Sequence, residues 1–382
     1  HGVVSDKCES CHVGNLAVAK PKSHMPTSAD CSQCHGTLSW IDTSFNHAGI
    51  VDNCFSCHDN VTTAGKPQDH IPTSNECQLC HSTRRWVPAT GFDHTCARTA
   101  AGRVHCVGRI SQTDYRDPFD MGLEGVTSLA TAGHMSCAVL ADGTVQCWGN
   151  GSVSVDSSTY YAPSPIDVGD VGHAVEVALD GADSADATGC VRRMDGTIRC
   201  WGYSHNSPAD ITLPVGAVPT QISVSDAGGC ARLASGEVAC WGTGSWRPPG
   251  AELTGAALVP GLSDVLEVAM GDVHVCVLHS GGTVSCWGGN GSYQLGDGTN
   301  VSASTPQPLS GLSDIVQIAA GGNSTCARTS AGGVLCWGTV TRWQDPPFGS
   351  VPLEYETPTV MLGLAVATDI DGGRHGACAI AA

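Results

Sequence analysis

The chain is poor in several things that most proteins of its length hold in quantity. Aromatic residues make up 5% and charged residues 14% of its 382 positions, and no lysine occurs beyond Lys66. No apolar run approaches the roughly 18 residues needed to cross a bilayer, so a soluble or surface-attached chain with no membrane span is expected. The chain opens at His1 without a methionine or an apolar export segment; if it is exported, as argued below, a signal peptide was removed before this numbering starts. Cationic charge is scarce too. Residues 94–382 hold 12 arginines against 27 acids, residues 1–93 hold 6 basic against 9 acidic residues, and the formal net charge is −18. An acidic surface repels phosphate backbones and anionic lipid, which argues against nucleic acid or a membrane as partner and is otherwise a solubilising coat.

Glycine and cysteine are abundant, at 48 and 21 residues, and 41% of the chain is apolar, enough for two or three turn-rich domains. Eight cysteines lie in four C-x-x-C-H units, Cys8–His12, Cys31–His35, Cys54–His58 and Cys77–His81, whose first cysteines are 23 residues apart. Seven residues before each first cysteine stands another histidine: His1, His24, His47 and His70. A period this regular is an internal repeat, H-x6-C-x-x-C-H.

Two thiols so spaced can form thioethers to the two vinyl groups of one haem, with the adjacent imidazole held under the iron. The expected haem-attaching pairs are Cys8/Cys11, Cys31/Cys34, Cys54/Cys57 and Cys77/Cys80. The proximal ligands are then His12, His35, His58 and His81, and the distal ligands His1, His24, His47 and His70. That predicts four covalently attached haem c groups, all bis-histidine ligated. A zinc ribbon needs only four ligands and gives no reason for a histidine after every second cysteine. A thioredoxin-like dithiol needs a strand–helix–strand context that this polar segment lacks. Residues 1–93 have few large apolar side chains, so a mostly irregular tetrahaem domain with haem as its core is expected.

The connections alternate between "KPKSHMPTS" or "KPQDHIPTS" and "WIDTSFNHAG" or "WVPATGFDHT", a 46-residue super-repeat. In these elements residues 1–93 resemble the outer-surface multihaem c-type cytochromes of metal-reducing bacteria. That resemblance implies extracellular electron transfer along a polymeric filament with a continuous haem chain, in which His1 ligates a haem of the adjoining subunit. Trp86, Phe92 and His94 repeat the Trp40, Phe45, His47 spacing with one residue inserted, so His94 is an alternative distal ligand.

His94 also opens a second pattern. "HTCARTAAGRVHCVG", "HMSCAVLADGTVQCWG", "TGCVRRMDGTIRCWG", "GGCARLASGEVACWG", "HVCVLHSGGTVSCWG" and "STCARTSAGGVLCWG" recur every 40 to 53 residues, and "HGACAIAA" is a truncated seventh copy. In the six full copies the cysteines are ten apart, with a glycine six after the first: Gly102, Gly143, Gly196, Gly236, Gly282 and Gly332. A glycine closing a three-residue loop marks a bulged β-hairpin, and such a loop sets position i opposite i+10. Disulfides are therefore expected between Cys96 and Cys106, Cys137 and Cys147, Cys190 and Cys200, Cys230 and Cys240, Cys276 and Cys286, and Cys326 and Cys336, leaving Cys378 without a partner.

Each hairpin follows a strand-like segment such as "VLEVAMG", giving three or more strands per unit. Radial repetition of such units gives a propeller, here over residues 94–382, with six or seven blades and seven favoured. "GGTVSCWGGNGSYQLGDGTN" resembles the regulator-of-chromosome-condensation type of repeat, a family that implies the propeller and no particular chemistry. His134, His274 and His375 are read as one repeat position with a packing or hydrogen-bonding role. The sequence from 94 onward carries no Ser–His–Asp grouping, phosphate loop or metal spacing.

Six hairpin disulfides persist only in an oxidising setting, and the cytochrome resemblance implies haem attachment outside the bacterial cytoplasm, so a secreted, cell-surface protein is expected. Its expected function is electron transfer without catalysis, since four distal histidines leave no iron position open. Redox partners or extracellular electron acceptors follow from that reading. The alternatives are a monomeric tetrahaem shuttle, or a propeller that binds or adheres at a surface and carries a redox domain.

Overall fold

A computed structural model describes residues 86–91, 94–110, 113–150, 161–169, 171–181, 187–202, 205–343, 350–361, 366–373 and 376–381. They belong to one compact unit, Arg84–Ala382, made of antiparallel sheets. Blade 1 is β1 (Trp86–Thr90), β2 (His94–Thr99), β3 (Val104–Ile110) and β4 (Thr113–Asp120). Blade 2 is β5 (Val126–Ala132), β6 (Met135–Leu140), β7 (Val145–Asn150) and β8 (Tyr161–Asp167); blade 3 is β9 (Ala174–Asp180), β10 (Thr188–Arg193), β11 (Ile198–Gly202) and β12 (His205–Ile211). Blade 4 is β13 (Pro219–Ser225), β14 (Gly228–Leu233), β15 (Val238–Gly242) and the short β16 (Ala257–Leu258); blade 5 is β17 (Val265–Met270), β18 (His274–His279), β19 (Val284–Gly288) and β20 (Ala303–Pro308). Blade 6 is β21 (Ile315–Gly321), β22 (Ser324–Thr329), β23 (Val334–Trp343) and β24 (Ser350–Val360), and a two-stranded sheet follows, β25 (Ala367–Gly373) and β26 (Gly376–Ala381).

Among the described residues the propeller thus has six four-stranded blades. The expectation of seven is not met: the last sheet is the two-stranded β25–β26. The first strands of successive sheets are neighbours around the axis, and β25 lies between β21 and β1. The propeller also starts before residue 94: β1 pairs with β2 through Thr90↔Thr95 and Trp86↔Thr99, so "WVPAT", read as part of the N-terminal repeat, is the inner strand of blade 1. The expected tetrahaem domain falls on residues outside the described set.

The hairpins follow the cysteine spacing. Second and third strands pair cysteine to cysteine in all six blades, as in Cys276↔Cys286, and every one of these pairs is a disulfide with Cα atoms 4.0 to 4.1 Å apart. The turn glycines Gly102, Gly143, Gly196, Gly236, Gly282 and Gly332 all have φ between 72° and 84°, a left-handed conformation that only glycine takes without strain.

Packing is between blades rather than within them. Trp148, Trp201, Trp241, Trp287 and Trp337, one from each of blades 2 to 6, are fully buried. Each lies in a cluster with residues of the preceding blade, as Trp287 does with Cys230, Val238 and Cys240. The indole N–H of Trp287 donates to the carbonyl of Trp246, and that of Trp337 to the carbonyl of Gln294, at 2.8 Å each.

Trp287→Ala should cost about 3–5 kcal/mol of unfolding free energy in urea titrations, the range for a fully buried large-to-small change. Replacing Cys276 and Cys286 together by serine should cost about 2–3 kcal/mol for the lost short-loop constraint, with the circular dichroism of the folded state retained.

Candidate binding site in the central channel

Seven inner strands end around the axis, and there they enclose a cavity of about 180 Å³ whose lining includes Thr90, Thr131, Asp180, Met270, Gly321 and Asp371. Carboxylates converge at this end. Asp180 closes β9, and Asp226 and Asp272 stand in the equivalent turns after β13 and β17, on three consecutive blades. The Asp226 backbone N–H donates to Asp180 Oδ2 at 2.9 Å. Burial, then the neighbouring Asp226 and Asp272, push the Asp180 carboxyl up to about 8. Asp371 accepts the Thr90 N–H at 2.6 Å across the joint between β25 and β1. Burial raises Asp371 to about 7, against the lowering effect of that hydrogen bond. At neutral pH Asp180 keeps its proton and Asp371 part of one, beside Asp226 and Asp272, so what this end of the channel can do chemically is hold protons or exchange them for a cationic group.

A belt of side chains keeps the inner strands in register. Ser128 Oγ accepts from Val177 N–H, Glu176 Oε1 from Ile222, Gln221 Oε1 from Val268, Glu267 Oε2 from Ile318 and Gln317 Oε1 from Ile370, at 2.9 to 3.2 Å. Each bond joins one blade to the next, and Gln221 and Gln317 also donate back to the carbonyls of Val268 and Ile370. In β1 the belt position is Val87 and the donor position Pro88, which has no N–H.

The predicted residues fare unevenly. His94 is 4% exposed, and its Nε2 lies 2.7 Å from Ser136 Oγ in blade 2. It is a blade-to-blade hydrogen-bonding residue, which corrects its reading as a haem ligand. His274 repeats the arrangement: it is fully buried, with Nε2 2.8 Å from Thr325 Oγ1 of blade 6. His274 and His94 face Gly288 and Gly108 in matching register, whereas Met135 holds that position in blade 2 and His134 precedes it in the turn. His134 and His274 are therefore not one repeat position as expected. His375 lies outside the described residues. So do Cys8, Cys11, Cys31, Cys34, Cys54, Cys57, Cys77 and Cys80, with His1, His12, His24, His35, His47, His58, His70 and His81. The belt and the channel carboxylates were missed in the sequence; the only signal was a polar residue before an aliphatic one in each inner strand except β1.

The two kinds of buried group act on opposite sides of neutral pH. Asp180 and Asp371 keep protons in the folded chain up to about 8 and about 7, against 3.8 unfolded. The stability they contribute is fully present below the unfolded value and is lost as pH rises through the folded values. His274 has a folded value of about 4 against 6.5 unfolded, because burial disfavours its charged form. Its contribution is present above pH 6.5 and is lost as pH falls toward 4. Urea titrations across this range should show the loss between pH 5 and 8 reduced by on the order of 1 kcal/mol in Asp180→Asn, allowing for solvent that reaches the carboxyl. His274→Met, with the residue blade 2 carries, should flatten the acid side alone.

Comparison with known proteins points the same way as the fold. Two family models, each described as Regulator of chromosome condensation (RCC1) repeat, match residues 281–328 and 265–294. No curated protein matches the chain. Among solved structures, Prp20p from Saccharomyces cerevisiae, described with its binding properties to Gsp1p and histones, is similar at TM-score 0.62 and 16% identity over 82% of this chain and 86% of that one. Human WBSCR16 is similar at TM-score 0.61 and 17% identity, over 78% and 87% of the two chains. Yeast RCC1 (Prp20) in its complex with Kap60 is similar at TM-score 0.56 and 17% identity, over 70% and 71%. Nothing in these comparisons supports the resemblance of residues 1–93 to multihaem cytochromes or a homopolymeric filament. Extracellular electron transfer as the function, and four haem c groups as cofactor, are contradicted: the similarities are to RCC1-type propellers, and among the described residues no group of three or more His, Cys, Asp or Glu could hold a metal ion. At such identities the solved structures share the propeller fold with this chain, and the matched repeats at residues 265–328 are of the RCC1 type.

Proposed function

We propose that the chain is an exported binding protein whose propeller holds a basic partner protein at the acidic end of the central channel, and that it binds rather than transforms that partner. The convergence of Asp180, Asp226 and Asp272 from three adjacent blades carries this reading. Burial first, and then its two acidic neighbours, disfavour an ionised carboxylate at Asp180, so an approaching lysine or arginine side chain would gain by pairing with the charge it restores. Residues 94–382 add a long-range field of the same sign, with 27 acids against 12 arginines, which speeds encounter with a cationic surface. The similarity to Prp20p, whose binding properties to Gsp1p and histones are described, agrees with a protein-binding role and with a basic ligand. Six disulfides in one domain favour an oxidising compartment outside the cytoplasm.

Immobilised protein titrated with a purified core histone, used as a basic probe, should bind at 50 mM salt and lose about tenfold in affinity by 300 mM. Asp180→Asn with Asp226→Asn and Asp272→Asn should weaken binding by about tenfold, whereas Glu354→Gln with Glu356→Gln, on the exposed outer strand of blade 6, should leave it unchanged. Equal loss in both variants would make the attraction a property of overall charge and defeat the channel as the site.

A further inference from the structure

The channel cavity holds an acceptor that no described residue uses. Thr131, next to last in β5, lines it and is 9% exposed, and its hydroxyl oxygen has no hydrogen-bond partner among the described residues. Buried hydroxyls are nearly always paired, so an orphan on a cavity wall points to something that enters the cavity. The belt sets what stands beside it. The bond from the Val177 N–H to Ser128 Oγ aligns β9 with β5, and the bond from Ile222 to Glu176 aligns β13 with β9. Four residues beyond Glu176 and Ile222 stand Asp180 and Asp226, which are hydrogen-bonded. Three beyond Ser128 and Val177 stand Thr131 and Asp180. The same alignment thus carries the unpaired hydroxyl to the level of the Asp180 carboxyl.

The cavity has no cation of its own. Among the described residues no arginine, lysine or histidine lines it. The charged groups that bear on Asp180 are Asp226 and Asp272 from the next two blades, and its hydrogen-bond donors are the N–H groups of Asp226 and Gly181. Asp371 lines the same cavity with its Oδ2 held by the Thr90 N–H. At about 180 Å³ the space is smaller than the roughly 300–1,000 Å³ of sites for drug-sized ligands, so it suits one side chain. Leu179, Val224 and Met270 share the lining and offer apolar contact to a methylene stem. A guanidinium pairs best with a carboxylate whose two oxygens are both open to its planar fork, and Oδ2 of Asp180 is already held by the Asp226 N–H. An ammonium is a compact charge with three donors, and it needs one open oxygen and further acceptors around it.

We propose that the cavity takes up a single lysine side chain of the partner, its ammonium donating to Asp180 and to Thr131 Oγ1 and its stem lying against Leu179, Val224 and Met270. This rests on the reading of the channel as the site for a basic partner, and adds which cation enters and by what exchange. Asp180 keeps its proton up to about 8, whereas a lysine ammonium stays charged to about 10, so near neutral pH each lysine that binds expels nearly one proton into solution. Binding is weakest in acid and tightens as pH rises toward 8, because Asp180 must ionise to pair.

The probes are acetyl-pentalysine amide and acetyl-pentaarginine amide, which carry the same charge and no free amino end. Calorimetry on the full chain at low salt and neutral pH, in two buffers of different ionisation heat, should show the lysine peptide binding at least about tenfold tighter and releasing nearly one proton. The release should vanish in Asp180→Asn. Thr131→Val should weaken the lysine peptide about threefold or more while stability in urea is unchanged or raised, since an unpaired buried hydroxyl has gone. A Thr131 with a structural role alone would instead lower stability and leave peptide binding as it was. Equal affinities for the two peptides, no proton release, or release that persists in Asp180→Asn would overturn the lysine site and leave the acidic end standing as the seat of a basic partner. Binding of pentalysine only when its amino end is free would overturn the side chain as the source of the ammonium. If neither the peptides nor the core histone binds, both readings fall.

Discussion

A four-stranded blade has two apolar faces and cannot cover either by itself. This constraint organises the whole domain. The blade's own hairpin is stapled by a disulfide, yet its core lies outside it, in the seam with the next blade. The tryptophan of the C-W-G motif is the largest side chain in each seam and belongs to one blade while filling the other. The glycine that follows it has φ from 88° to 117° and marks the point where the third strand bulges against the fourth, which turns the indole toward the neighbouring blade.

The polar belt answers a second need. Inner strands crowd near the axis, where there is no room for a wide apolar layer, so alignment is by single hydrogen bonds to backbone N–H groups. Glutamate, glutamine and serine all serve, because each offers an acceptor at the required reach. The same crowding brings Asp180, at the end of β9, near Asp226 and Asp272 in the turns of the next two blades: carboxylates spread over a wide circle would be dilute, and near the axis they meet. The charge of the channel is thus a product of geometry acting on a few unremarkable aspartates.

Much of this was legible in the sequence wherever one residue type recurred at one spacing. The ten-residue cysteine interval and the glycine six after the first fixed hairpins, disulfides and register, and Cys378 was correctly left over. The outer strands were harder, since Tyr161–Asp167 and Ala303–Pro308 share little beyond extended, proline-containing sequence. The belt escaped because a position filled by Ser128, Glu176, Gln221, Glu267, Gln317 and Asp369 shows no repeated letter. Two errors came from overlap of patterns. Trp86 to His94 fits the N-terminal repeat by spacing and the propeller by pairing, and only the pairing with β2 assigns it. The seventh copy suggested a seventh blade because a hairpin's first half reads the same whether or not the second half follows.

The joint between β25 and β1 changes the statistical character of the molecule. A ring in which every blade is gripped on both sides has no ends, and losing one unit costs two interfaces. Where β25 meets β1 the strands touch, Thr90 donates to Asp371 and Asp369 faces the charge of Arg98, but no buried apolar cluster spans the seam among the described residues, so the closed array leans toward a linear stack with its ends at this seam. Fluctuations in such a stack concentrate at its ends and decay inward, so blades 3 and 4, which hold the buried Trp201 and Trp241, sit where the array is most cooperative.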